Sequence, residues 1–219
     1  MIDFYMSDVQ SPVCERVAIM LEECELKYEE HIIPVGKQAN KPAAFMKFNP
    51  RGTVPTLVDR SDPRRPLAIT QAGAILLYLA EKTGQFLPTD LRRRAQTYQW
   101  LMHVLTDSQP ISMAAFLCER AVPDKVSSAV AFFESTFVKT CEAFEDALAR
   151  STYLGGDEPS IADFALYPTA FYRRPLIERA AYLHRIIRWM ETMAKRAAVQ
   201  RVFQDSVARE ARLSSVVLK

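Results

Sequence analysis

The chain lacks the features that mark membrane-spanning and disulfide-rich proteins. It contains no apolar run of about 18 residues, which a transmembrane helix needs, and no signal-peptide pattern. Its four cysteines have no paired metal-ligand spacing, and a chain of 219 residues does not need disulfides to fold. These absences favour a reduced, cytoplasmic protein with no membrane partner.

The sequence also has little net charge. Lysine and arginine total 28 against 26 acidic residues, and the net charge of +2 argues against a nucleic-acid partner or an anionic membrane. The three histidines show no ligand spacing, so we expect no metal. Hydrophobic residues make up 49% of the chain, which is enough for a sizeable core in one large domain or two small ones.

The first 85 residues alternate between strand and helix patterns. A βαβ unit is followed by a ββα unit, which is a thioredoxin-like order. We predict strands at 2–6, 28–34, 56–59 and 67–69, helices at 12–23 and 71–83, and one helical turn at 45–48.

No strand pattern follows residue 90. We predict helices at 91–118 with a kink at Pro110, at 124–150, from Ser160 onward, at 182–195 and at 199–209. Ser160-Ile161-Ala162-Asp163 has the S-x-x-D pattern of a capping box. The predicted fold is therefore α/β plus all-α: a thioredoxin-like domain at 1–84 and a helical bundle domain at 91–219.

Two short segments predict a pocket for a peptide-like ligand. A cis bond between Val54 and Pro55 would turn the N–H and C=O of Val54 outward, toward a ligand backbone. A helix that starts at Gln71 and Ala72 would offer unpaired N–H groups and a positive dipole end to a carboxylate.

Four motifs, in this order, resemble the cytosolic glutathione S-transferase superfamily. They are NPRGTVPTLVD at 49–59, ITQAGAILLYLAEKTGQFLP at 69–88, SIADFALYP at 160–168 and WMETMAKRAAVQRVF at 189–203. The bacterial classes, and the nu class in particular, are the most similar. The resemblance implies a homodimeric detoxification enzyme. It would use glutathione as co-substrate for conjugation to small hydrophobic electrophiles, or for disulfide or peroxide reduction.

In the region before the first helix, the N–H groups and the dipole of the helix would stabilise a thiolate most strongly. The resemblance implies a serine or threonine donor there, and Ser11 fits this role best. Tyr5 at the end of the first strand is the alternative, and Ser7 is a weaker third candidate. Ser11 could instead only cap the helix, with Pro12 at its first position. Cys14 is interpreted as a packed thiol.

The resemblance also assigns the glutathione contacts. Val54, beside Pro55, would pair its backbone with the cysteinyl part, Gln71 would hold the γ-glutamyl end, and Arg51 would meet the glycyl carboxylate.

Ala72 departs from the family, which has serine or threonine at this glutathione-binding position. A lost hydrogen bond to a charged group costs roughly 1.5–3 kcal/mol, which predicts about 10- to 100-fold weaker binding if nothing compensates. The alternative is therefore a non-catalytic binding or regulatory protein with a weakened site.

The hydrophobic co-substrate site would lie between the domains by resemblance. Its candidate residues come from the helical part of the chain: Met113, Phe116, Phe171 and Tyr172. Aromatic and methionine side chains at helical spacing belong to a core more often than to a pocket, so a core role is the alternative.

Overall fold

The protein is described by a computed structural model that covers residues 1–35 and 41–217, with side chains up to residue 209. The described residues form four strands, ten α-helices and one π-helical segment. The elements are β1 Ile2–Ser7, α1 Pro12–Glu23, β2 Tyr28–Ile33, α2 Ala43–Phe48, β3 Thr56–Asp59, β4 Leu67–Thr70, α3 Ala72–Thr83, α4 Leu91–Met102, the π-helical segment His103–Ser108, α5 Gln109–Arg120, α6 Ser127–Ala147, α7 Ile161–Tyr172, α8 Arg174–Arg179, α9 His184–Ala194 and α10 Ala197–Val217.

The strands form one sheet in the order β2-β1-β3-β4. Strand β1 runs parallel to β2 and antiparallel to β3, and β3 pairs with β4 in a hairpin. Every residue of β1 is buried, because this central strand is covered on both faces. The thioredoxin-like order predicted for the first part of the chain is confirmed.

The predicted helix at 91–118 is interrupted. Instead of a simple kink at Pro110, the chain forms the π-helical segment His103–Ser108 and resumes as α5 with Pro110 in its first turn. A proline has no N–H and its ring collides with the carbonyl four residues earlier, and a π-helical turn relieves that collision. The sequence predicted a break at this place but not its form.

The predicted capping box at the start of α7 is present. Asp163 accepts a hydrogen bond from the backbone N–H of Ser160 at 2.9 Å, and the Ala162 N–H donates to the Ser160 hydroxyl at 3.3 Å. The same carboxylate accepts bonds from Leu154 and Trp189, each at 2.9 Å. One fully buried side chain thus ties α7 to α9 and to the preceding loop.

The contacts divide the chain into two compact units. The first comprises residues 1–85 together with 196–219, and the second comprises residues 86–195. Within the first unit, α10 packs on α1 through Arg196, which donates two hydrogen bonds to Glu23 at 2.6 and 2.7 Å. The domain bounds 1–84 and 91–219 stay a prediction. Among the described residues, every helix is too short or too polar to cross a membrane.

Candidate functional site

The sheet register gathers three candidate segments at one end of the first unit. Tyr5 of β1 pairs with Thr56 of β3, and Thr56 pairs with Thr70 of β4. Since β1 and β4 both run toward the end at which β3 begins, the loop after β1, the Val54-Pro55 segment and the start of α3 meet there. This is the end of the sheet where the sequence predicted a pocket.

Ser11 occupies the N-cap position of α1 but does not cap it with its side chain. Its backbone is extended, and its C=O accepts from the N–H groups of Cys14 and Glu15 at 3.0 and 2.9 Å. Its half-buried hydroxyl makes no capping hydrogen bond and lies within hydrogen-bonding reach of the Cys14 thiol. The interpretation of Ser11 as a cap alone is therefore not supported.

Cys14 is completely buried one turn into α1. Burial raises the pKa of its thiol, and hydrogen bonds from Ser7 and Ser11 only partly offset that effect. A thiol with a raised pKa stays protonated at neutral pH and is a poor nucleophile. Cys14 is a packed thiol, as predicted.

Tyr5 lies in a hydrophobic cluster of the first unit. Its ring stacks on His31 with centroids 4.6 Å apart and contacts Phe45 at 5.1 Å. Burial raises the pKa of its hydroxyl, with a smaller contribution from the Asp3 carboxylate, although Arg60 opposes this shift. Tyr5 is buried in this cluster whereas Ser11 is half-buried, so accessibility to a ligand favours Ser11 over Tyr5.

The Val54–Pro55 peptide bond is cis, as predicted. The backbone N–H and C=O of Val54 have no hydrogen-bond partner among the described residues. Both groups therefore remain available to a ligand backbone.

Asn49 holds this segment, and sequence reasoning did not find its role. Its buried amide donates to the Thr53 carbonyl at 2.7 Å and to the hydroxyls of Thr53 and Thr56 at 3.2 and 3.0 Å. The only signal was its place before Pro50, which reads as a turn. Asn49 is therefore a positioning residue for the Val54 backbone.

The turn after Asn49 requires glycine at position 52. Gly52 has a φ of +63°, and a Cβ atom there would lie 2.9 Å from the Lys41 side chain. Lys41 donates from Nζ to the Gly52 carbonyl at 2.5 Å. Lys41 is a second residue near the site that sequence reasoning missed.

The start of α3 is strained and has no side-chain cap. Gln71 has a φ of +72° and a ψ of 117°, which costs a residue other than glycine on the order of 1–3 kcal/mol and is typical of functional sites. Ala72 is 7% exposed, and no hydroxyl of Thr70 or amide of Gln71 replaces the missing cap. The first N–H groups of α3 therefore remain available to an anion.

Arg51 is exposed and forms no ion pair with the side chains that the structure describes. Its backbone N–H donates to the Asn49 side chain at 3.2 Å. Its guanidinium remains a candidate partner for a ligand carboxylate.

An ion-pair cluster fixes α3 against β3 at the far end of that strand. Asp59, which is 3% exposed, accepts hydrogen bonds from Tyr78 at 2.6 Å and Ser61 at 2.6 Å and pairs with Lys82 at 2.8 Å. Burial opposes ionisation of Asp59, but these partners outweigh it and hold the pKa of the carboxyl well below its usual range. The cluster thereby holds the second half of α3 on the sheet.

The four apolar candidates lie at the surface of the second unit. Met113, Phe116 and Phe171 are exposed, and Tyr172 is half-buried. The neighbouring residues Ser112 and Arg173 join α5 to the end of α7, through hydrogen bonds of 3.1 and 2.7 Å from the guanidinium. These side chains are accessible, so the alternative of a pure core role is wrong for the three exposed ones.

Comparison with known proteins gives two family matches. The model of the glutathione S-transferase N-terminal domain matches residues 10–82, and that of the C-terminal domain matches residues 127–205. The disulfide-bond oxidoreductase YfcG of Escherichia coli is 33% identical over 201 residues, which are 90% of this chain and 92% of that protein. The disulfide-bond oxidoreductase YghU of the same organism is 30% identical, over 87% of this chain and 70% of that protein.

The solved structures agree with the sequence relatives. A glutathione transferase homologue from Lodderomyces elongisporus, crystallised with two glutathione molecules per subunit, has a TM-score of 0.83. It is 28% identical over 93% of this chain and 97% of that one. A glutathione transferase YghU from Streptococcus pneumoniae, in complex with glutathione, has a TM-score of 0.81 and 25% identity over 92% of this chain and 81% of that one.

Proposed function

The chain belongs to the glutathione S-transferase superfamily, and on that premise we propose that it is a glutathione-dependent enzyme. In this proposal the Ser11 hydroxyl donates a hydrogen bond to the glutathione thiolate. The observation that supports this most directly is the Ser11 hydroxyl, which stands at the start of α1 without capping it. Further support comes from the end of β1, which precedes Ser11 and lies on the same side of the sheet as the unpaired Val54 backbone and the uncapped start of α3.

These groups match the parts of glutathione. Val54 would pair its N–H and C=O with the cysteinyl backbone, next to Pro55. Gln71 and the first N–H groups of α3, including that of Ala72, would hold the γ-glutamyl carboxylate. Arg51 would meet the glycyl carboxylate. The cysteinyl sulfur would then face the N-terminus of α1 and the Ser11 hydroxyl.

The chemistry follows from a thiolate held in that position. The glutathione thiol loses its proton to solvent, and the Ser11 O–H donates a hydrogen bond to the resulting sulfur anion. In conjugation, the sulfur attacks an electrophilic carbon, forms a C–S bond and expels the leaving group with its electron pair. In disulfide reduction, it attacks one sulfur of the disulfide, forms a mixed disulfide and releases the other sulfur as a thiolate.

Similarity to two disulfide-bond oxidoreductases supports disulfide reduction beside conjugation. The alternative of a non-catalytic binding protein is not favoured. We also infer membership of the nu class, from AILLYLAEKTGQFLP and Gln99-Trp100-Leu101-Met102. A homodimer, a cytoplasmic location, a role in detoxification and a hydrophobic electrophile as second substrate complete the proposal.

The test compares the protein with its Ser11→Ala variant, using a chlorinated nitrobenzene and hydroxyethyl disulfide as substrates. Removal of one donor to a developing anion costs about 10²- to 10³-fold in rate, and we expect kcat/KM to fall by that factor with both substrates. Ser11→Thr keeps the hydroxyl and serves as the matched control. Unchanged rates in Ser11→Ala would contradict the proposed role of Ser11. Absence of activity with both substrates in the parent protein would contradict the proposal that the protein is an enzyme.

A further inference from the structure

Three potential metal ligands, one in β1 and two in β2, converge on one face of the sheet, although the spacing of the histidines in the sequence predicted no metal. We propose that Asp3, Glu29 and His31 form a binding site for a zinc-like divalent cation. Asp3 and Glu29 are register partners across β1 and β2, and His31 follows Glu29 by two residues on the same face. The three ligand atoms all lie within 4.8 Å of one another.

The distances fit a bridging cation better than direct hydrogen bonds. His31 Nε2 lies 3.8 Å from Asp3 Oδ1 and 3.9 Å from Glu29 Oε1. Hydrogen bonds need about 2.7–3.2 Å between these atoms. Tetrahedral zinc bonds of about 2.0–2.2 Å set neighbouring ligand atoms about 3.4 Å apart, so each His31–carboxylate distance needs to shorten by about half an ångström, and the exposed Glu29 side chain can move to close the remaining gap.

The histidine nitrogen is already positioned for a ligand. His31 Nε2 is buried and has no hydrogen-bond partner among the described residues. The imidazole ring is held by stacking on Tyr5, with an interplanar angle of 18°. A buried acceptor without a donor is costly, and a cation between Nε2 and the two carboxylates would satisfy all three groups.

Arg60 orients the Asp3 carboxylate of this arrangement. Its Nε donates to Asp3 Oδ2 at 2.6 Å, which leaves Oδ1 to face His31. Asp3 is 4% exposed and is therefore held in one orientation. Partners of this kind orient ligating carboxylates in known metal sites.

The ligand set selects the class of ion. One imidazole and two carboxylates suit Zn²⁺ and its first-row neighbours, whereas Mg²⁺ prefers oxygen ligands and water. Three protein ligands leave a fourth position to water. A bound ion would join β2, the edge strand of the sheet, to the central strand β1 and should stabilise their pairing.

The experiment titrates Zn²⁺ into the untagged full chain by calorimetry, without glutathione because glutathione itself binds zinc. All proteins carry Cys118→Ser to remove the partly exposed thiol. We expect one equivalent of Zn²⁺ to bind and to raise the unfolding temperature, with no response to Mg²⁺. His31→Phe keeps the ring that stacks on Tyr5 and should weaken zinc binding at least about tenfold, as should Glu29→Gln.

His184→Phe is the matched control. His184 also faces a carboxylate, that of Glu145 at 3.5 Å, but only one, and its zinc affinity should be unchanged. No one-equivalent binding by the parent protein, or equal affinity in His31→Phe, would overturn the site. Glutathione affinity should be the same in His31→Phe and the parent, so this result is independent of the proposed enzyme function.

Discussion

The polar site of the first unit and the apolar surface of the second unit are built in different ways. The polar site consists largely of backbone groups, at Val54 and at the start of α3, whose places follow from strand register. The apolar surface consists of exposed side chains such as those of Phe116 and Phe171. Backbone N–H and C=O groups are present whatever the side chain, whereas an apolar surface changes with each substitution, so the fold sets the ligand of the first site and the choice of residues sets that of the second.

The largest effect is expected when a side-chain hydrogen bond is added to the polar site, which otherwise consists largely of backbone groups. Ala72→Ser adds a hydroxyl at the uncapped start of α3, beside N–H groups that an anion would use. A hydrogen bond to a charged group is worth roughly 1.5–3 kcal/mol, so glutathione should bind about 10- to 100-fold more tightly. Calorimetry with glutathione measures the change.

Ala74→Ser is the matched control for this variant, because Ala74 is an exposed alanine in the same helical turn. It adds a hydroxyl at an exposed position, whereas Ala72 is buried, and should leave glutathione affinity unchanged. If Ala72→Ser binds no better than Ala74→Ser, the interpretation of Ala72 as the weak point of the site is wrong.

A second test breaks the support of α3 and depends on pH. Asp59→Asn removes the carboxylate that pairs with Lys82, and should lower the free energy of unfolding by about 1–3 kcal/mol at about pH 7. Because the folded pKa is depressed, the stabilisation is present above the unfolded pKa of about 3.9 and is lost as pH falls through the folded value.

Urea unfolding at about pH 7 and again at about pH 3 measures the difference in the free energy of unfolding between the parent protein and Asp59→Asn. Asp62→Asn, an exposed carboxylate in the same turn, should behave like the parent at both values. A stability gap for Asp59→Asn that does not shrink in acid would contradict the ion-pair account.

The smallest expected effect concerns the apolar surface. Phe116→Ala should raise the KM for a hydrophobic electrophile roughly two- to tenfold. It should change the free energy of unfolding by less than about 0.5 kcal/mol, because the ring is exposed. Phe132→Ala, an exposed ring outside the candidate set, is the control, and equal KM values in the two variants would remove Phe116 from the site.

The strongest sequence signals lay where one residue type has a specific local role. Pro55 predicted the cis bond, Gly84 the left-handed end of α3, and Ser160 with Asp163 the capping box. Each depends on a few neighbouring residues, so each could be read from the chain.

The features that were missed depend on contacts made after folding. Asn49 acts through three hydrogen bonds across a loop, and Gln71 adopts a backbone conformation that its residue type does not favour. The π-helical form of His103–Ser108 was missed although Pro110 marked the break, and the short helix α8 was missed although Pro175 lies in its first turn.

The most direct test of the central claim, that Ser11 stabilises the glutathione thiolate, is to follow the ultraviolet absorbance of the bound thiolate as pH rises. Saturating glutathione would be used with the parent protein, Ser11→Ala and Ser11→Thr. The account predicts that bound glutathione ionises at a lower pH than free glutathione in the parent and in Ser11→Thr, and near the free value in Ser11→Ala. The same ionisation curve for the parent and Ser11→Ala would contradict it.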